Sequence, residues 1–167
     1  MELPGSSTIL NPKVIHDMEQ LEIKTGIQIA RSCKDIFEAI VEPEKMTNYF
    51  ISQASGSMEE GKTIDWIFPE FPDSFPVKVL KIKDPENVIF EWDGSDTFKT
   101  TVEINLEKIA NSQTLIRITE GKMEVNEQGI KWYGQNTEGW VNFLTCLKAY
   151  MEHGINLRKG AFDYMKK

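Results

Sequence analysis

The sequence predicts an α+β domain in which a curved antiparallel sheet of about six to seven strands wraps around a long C-terminal helix, with two short helices after the first strand. Three observations predict it. Residues 63–118 alternate apolar and polar with period 2 between turn residues, residues 32–50 carry a short apolar helical face interrupted by a proline, and an apolar stripe at i, i+3, i+4, i+7 and i+11 closes the chain.

Residues 1–19 read as a partly flexible arm, because Pro4, Gly5, Ser6, Ser7, Thr8 and Pro12 favour open backbone and offer little to bury. Val14, Met18 and Leu21 keep helical spacing, but the period then switches. Leu21, Ile23, Thr25, Ile27 and Ile29 alternate with Glu22, Lys24 and Gln28, so a domain over residues 20–154 opens on a half-buried strand. Ser32 and Asp35 resemble a capping box with Asp in the Glu place, ahead of the apolar face of Ile36, Phe37, Ile40 and Val41. Pro43 must end that helix and can open a second, whose apolar side is Met46, Tyr49 and Phe50.

The meander follows. Ile64, Trp66 and Phe68 share a face until Pro69 and Pro72 intervene. Val77 and Val79 followed by Leu80 and Ile82 require a bulge at which the facing switches. Asp84-Pro85, Asp93-Gly94 and Asn111-Ser112 supply turns between strands built on Val88, Phe90 and Trp92, on Phe98 to Leu106, and on Thr114, Ile116 and Ile118. A helix of about four turns is expected to start near Asn136 or Thr137, with Trp140, Phe143, Leu144, Leu147 and Met151 on one face and Gly154 at its end. Residues 155–167 form a tail on which Ile155, Leu157 and Phe162 either pack back or meet a partner.

Composition narrows the function. With 19 Lys and Arg against 26 Asp and Glu, the chain carries a formal net charge of −7, which repels nucleic-acid phosphates and anionic lipid. No apolar run exceeds three residues, so no membrane span or signal-peptide core is expected, and the setting is expected to be cytoplasmic. Cys33 and Cys146 lie in no metal-ligand spacing and read as thiols of a reducing compartment; no disulfide, metal or cofactor is expected.

Gly56 to Thr63 matches GxxxxGKT letter for letter, yet the chemistry is wrong for a phosphate loop. Such a loop must open a helix, whereas Thr63 to Phe68 is β-branched and aromatic with period 2, and Glu59 and Glu60 would place negative charge in the cradle. His16 and His153 are the two histidines, one in the arm and one at a polar helix end, and both read as solvated rather than as catalytic bases. Asp65, Glu91 and Asp93 sit in strands beside aromatics, and alternation turns Asp65 and Glu91 toward solvent. No catalytic residue is assigned. What remains is an aromatic interior, in which Trp66, Phe68, Phe90, Trp92 and Phe98 from the sheet face Trp140, Phe143 and Leu147 from the helix. That interior is either a solid core or the lining of an apolar ligand cavity.

The element order is that of the helix-grip fold. Five segments carry a further likeness: Arg31 with Ser32 to Val41, Glu42-Pro43-Glu44, Gly61 with Trp66, and above all Pro85 to Trp92 and Gly139-Trp140 to Leu144 with Leu147. On these residues, 22–154 resembles the domain related to the C-terminal part of the Hsp90 ATPase activator, a START-like (Bet v 1-like, SRPBCC) branch. The resemblance implies a helix-grip domain with an apolar cavity between sheet and last helix, lined by the eight residues above and occupied by a small hydrophobic or amphipathic ligand. Two other classes stay open: a co-chaperone-like interaction module, monomeric or homodimeric, whose partner is a chaperone or another protein, and a small cyclase-like or hydrolase-like enzyme. A buried carboxylate, or Arg117 beside a pocket, would favour the third. Glycine inside the last helix at position 139 also suggests close approach by another segment.

Overall fold

The structure, a computed structural model, describes residues 20–95 and 97–166. The arm, with His16, lies outside the described residues. Seven strands form one antiparallel sheet: β1 (Gln20–Ile29), β2 (Gln53–Ala54), β3 (Thr63–Ile67), β4 (Ser74–Lys83), β5 (Asn87–Ser95), β6 (Phe98–Ala110) and β7 (Gln113–Glu124). Their order is β1-β7-β6-β5-β4-β3-β2, a meander whose last strand returns to pair with the first. Helices α1 (Cys33–Val41) and α2 (Pro43–Met46) follow β1, and α3 (Glu127–His153) follows β7. The fold is the predicted α+β helix-grip arrangement.

Local chemistry explains the boundaries. Ser32 caps α1 by accepting the Asp35 N–H, while its hydroxyl donates to the Asp35 carboxylate at 2.7 Å. Pro43 occupies the first turn of α2. The bulge in β4 lies between Val79 and Lys81, so Val77 and Val79 are fully buried, Leu80 turns outward and Ile82 returns to pack on the core. β3 begins at Thr63, one residue after a lysine paired with Glu59 at 2.8 Å, so a strand stands where a phosphate loop needs a helix.

Three expectations are corrected. Asp93-Gly94 does not turn the chain: β5 runs on to Ser95 with a register shift there. A Cβ on Gly94 would fall 2.7 Å from Thr100, so the glycine lets the strand pass close and continue. Helix α3 starts at Glu127, nine residues before Asn136, with Asn126 capping the Gly129 N–H at 2.8 Å. Its first turns hold Gln128, Gly129, Lys131, Gly134 and Gln135, which break the apolar stripe even though Trp132 is buried. The close approach expected at Gly139 occurs at Gly129 instead, where a Cβ would stand 2.0 Å from the Glu124 carbonyl; nothing lies within 4 Å of one at Gly139.

The core lies between the sheet's inner face and α1, α2 and α3. Ile23, Ile29, Val79, Val88, Phe90, Val102, Ile116 and Ile118 meet Trp140, Phe143, Leu144 and Leu147. Tyr49 is fully buried at the α2 end and donates its hydroxyl to the Ala39 carbonyl at 2.9 Å; burial raises its pKa well above the usual tyrosine value. Gly154 ends α3 in the left-handed conformation at φ 65°, as its position suggested.

Candidate functional site

Beside this core the sheet and α3 part to leave a half-open cleft of about 930 Å³. Its apolar walls are almost wholly aromatic: Phe50, Phe68, Phe71, Phe75, Trp92, Phe98, Trp140, Phe162 and Tyr164. The polar side of α3 supplies a second wall through Gln135, Asn136, Glu138 and Asn142, and Gly139 leaves a gap between them. Lys99, Asp93, Ser95 and Thr97 stand along the β5–β6 end.

Of the eight aromatic and apolar residues singled out from sequence, Phe68, Trp92, Phe98 and Trp140 line this cleft. Trp66, Phe90, Phe143 and Leu147 do not; each is at most 2% exposed and belongs to the packed core. The two sets meet in continuous ring contacts. Trp92 lies 5.4 Å from Trp140, and Phe50 bridges Phe143 at 4.7 Å to Phe68 at 5.1 Å.

The residue that organises the cleft is one that sequence reasoning missed. Glu120 is 1% exposed on the inner face of β7, and its carboxylate collects donors from three elements. Trp92 Nε1 donates to Oε1 at 2.8 Å and Trp140 Nε1 to Oε2 at 2.6 Å. Thr100 Oγ1 donates to Oε1, and Asn136 Nδ2 lies 3.2 Å from both oxygens. A buried carboxylate is tolerated only when its lone pairs are satisfied, and here both oxygens are engaged. Glu120 thus fixes the orientation of Trp92, Asn136 and Trp140, which face the cleft, while it stays behind them. The signal was present: Thr114, Ile116 and Ile118 set an inward parity that position 120 continues.

One lining residue, Arg158, and its partner Glu70 were also missed. Arg158, on the tail, donates from Nη2 to Glu70 at 2.7 Å, and its guanidinium lies 4.8 Å from the Phe162 ring centroid. Glu70 sits in the turn made by Pro69 and Pro72. The tail therefore packs back through Arg158 and Phe162, whereas Ile155 and Leu157 stay exposed. Of the other candidates, Asp93 lines the β5–β6 end of the cleft and is exposed. The rest lie elsewhere: Asp65 is exposed, Arg117 is a surface residue 4.0 Å from Glu107, and the exposed ring of His153 is 3.7 Å from Glu152. Cys33 and Cys146 are free thiols; burial pushes the Cys146 pKa up, partly opposed by the Arg158 charge.

Residues 30–152 match the family described as activator of Hsp90 ATPase homolog 1-like protein. The chain belongs to this family. A Staphylococcus saprophyticus protein of known structure shares 30% identity, with a TM-score of 0.71 over 83% of this chain and 96% of that one. The Aha1 dimer from Colwellia psychrerythraea shares the fold at 23% identity and a TM-score of 0.68, covering 80% of this chain and 98% of that one. So does the di-domain ARO/CYC BexL of the BE-7585A biosynthetic pathway, at 12% identity and a TM-score of 0.67, over 79% of this chain and 46% of that one. No curated protein matches the sequence. Among the described residues, no helix is long and apolar enough to cross a membrane.

Proposed function

We propose that this activator-like domain binds a small amphipathic molecule with a flat, ring-containing body in the cleft between sheet, α3 and tail. The carrying observation is the pairing of nine aromatic rings with a polar helix face around one half-open space of about 930 Å³. Ring walls favour stacked or edge-on ring ligands, and the row Gln135, Asn136, Glu138 and Asn142 offers donors and acceptors to a polar rim. The fold shared with BexL, whose own description is ARO/CYC, is consistent with a ring-bearing ligand. Glu120 is the buried carboxylate that would favour an enzyme, but the cleft is lined by its partners Trp92, Asn136 and Trp140 rather than by Glu120 itself, which favours binding over catalysis.

The test uses Gly139. A leucine there meets no atom at its Cβ and projects into the cleft, and replacing a helical glycine favours the helix by up to about 1 kcal/mol. Titration with 1-anilinonaphthalene-8-sulfonate, read through the dye's own emission, should saturate at one dye per chain. Gly139→Leu should weaken it at least tenfold with no loss of thermal stability. Equal dye affinity in Gly139→Leu and wild type would refute the assignment of this cleft.

A further inference from the structure

We propose that the C-terminal segment 155–166 is a fastened wall of the ligand cleft, held by the Glu70–Arg158 pair, and that releasing this pair frees the bound molecule; the inference rests on the ligand-binding reading above. The family match ends at residue 152, so nothing in that match assigns the segment a role. Arg158, Phe162, Tyr164 and Met165 nevertheless make up one side of the cleft.

The fastening is unlike any other ionic contact among the described residues. The side chains of Arg158 and Glu70 are 11% and 2% exposed, whereas every other described ion pair has a partner at least 38% exposed. Burying such a pair is tolerable only with close geometry and further contacts. The contacts are three ring faces, Phe162 at 4.8 Å, Phe68 at 5.5 Å and Phe50 at 5.6 Å from the guanidinium carbon. Arg158 Nε is buried with no acceptor among the described residues, so the arginine is poorly satisfied apart from Glu70 and the rings. Only a few turns hold the rest of the segment. Ala161 N–H donates to the Arg158 carbonyl at 3.0 Å, and one 3₁₀ turn spans Asp163–Met165. Anchorage concentrated in Arg158 and the Phe162 ring beneath it is what a detachable wall requires.

Phe50 and Phe68 connect the fastening to the cleft. They form the box around Arg158 and also line the cleft, so a ring ligand stacked on Phe68 or Phe162 would shield the same guanidinium from water. Ligand and docked segment then stabilise each other, each raising the other's affinity by the same factor.

Full-length wild type is compared with Arg158→Met, Arg158→Lys and the double variant Glu70→Gln/Arg158→Met, by amide hydrogen exchange without ligand and by stopped-flow release of 1-anilinonaphthalene-8-sulfonate. In Arg158→Met, exchange in 68–75 and 155–165 should rise together at least tenfold while β6 and β7 stay protected, and dye release should quicken at least tenfold. Arg158→Lys, which keeps charge but loses the planar fork, should fall between, and the double variant should fold as wild type while releasing dye rapidly. Unchanged exchange in both segments with dye still bound would overturn the fastening alone. Faster exchange with unchanged dye release would overturn the wall's role. Failure of wild type to bind dye would remove the ligand reading and this inference with it.

Discussion

The two halves of α3 do opposite things to the same sheet. From Phe143 onward the helix closes the interior: Phe143, Leu144 and Leu147 are at most 2% exposed and Tyr49 stacks on Tyr150 at 5.6 Å. Around Gly139 it holds the interior open: Gln135 and Glu138 are exposed, Asn136 directs its amide to Glu120, and Gly139 has no side chain to fill the space. One rigid rod thus carries both a stabilising half and a recognising half. The difference lies in the residues flanking the apolar stripe, more than in the stripe itself.

The comparison breaks if the two halves respond alike to truncation. Phe143→Ala should cost about 3 to 5 kcal/mol, since the ring touches Tyr49, Phe50 and Trp140 and the site cannot easily collapse. Phe98→Ala, at the mouth of the cleft and 44% exposed, should cost less than about 1 kcal/mol. Urea unfolding of both variants measures the gap, and similar losses would mean that the cleft is as tightly packed as the core.

Glu120 sits where the halves meet, and its replacement sharpens the boundary. Glu120→Gln turns one acceptor oxygen into an amide donor facing either the Trp92 or the Trp140 indole N–H. The loss should be about 2 to 4 kcal/mol, the range for breaking a buried network with one partner left unsatisfied. Near-ultraviolet circular dichroism should change with it, because both indoles lose their fixed orientation. A variant as stable as wild type with an unaltered aromatic spectrum would show that the rings are held by packing alone.

Much of the closed half was legible in the sequence and much of the open half was not, for a physical reason. Burial on a strand or helix imposes a period, so Val88 and Phe90, the β4 bulge at Leu80, the Ser32 cap, the Pro43 restart and the stripe from Trp140 to Leu147 could all be read. A cleft imposes no period. Phe68, Trp92, Phe98 and Trp140 were separable from Trp66, Phe90, Phe143 and Leu147 only by how far the sheet and helix diverge, which depends on long-range packing. Asn136 was read as a cap because Asn favours helix starts, yet it stands mid-helix, where Glu120 engages its side chain. Glu70 and Arg158 are 88 residues apart and lie in irregular segments, so no local pattern joins them.

The smallest expected effect lies at the far end of the closed half, where charge supplements packing. Glu152, on the last turn of α3, accepts the Ala30 N–H at 2.7 Å and the Lys148 ammonium at 2.6 Å, tying the end of β1 to the helix. Lys148 also donates to the Gln28 carbonyl at 2.9 Å. The Lys148 hydrogen bond foremost, then the Ala30 amide, holds the Glu152 carboxyl below its usual value of 4.5. Folding therefore favours the deprotonated form, so its contribution is fully present above the unfolded value and fades as pH falls through the depressed one. With Lys148 partly open to water, the contribution should be no more than about 1 to 2 kcal/mol. Glu152→Gln should accordingly lose that much at pH 7 and converge on wild type as the pH is lowered from 4.5, in parallel urea titrations. A gap that persists undiminished in acid would place the contribution in shape rather than charge, and would leave packing as the sole agent holding the closed half together.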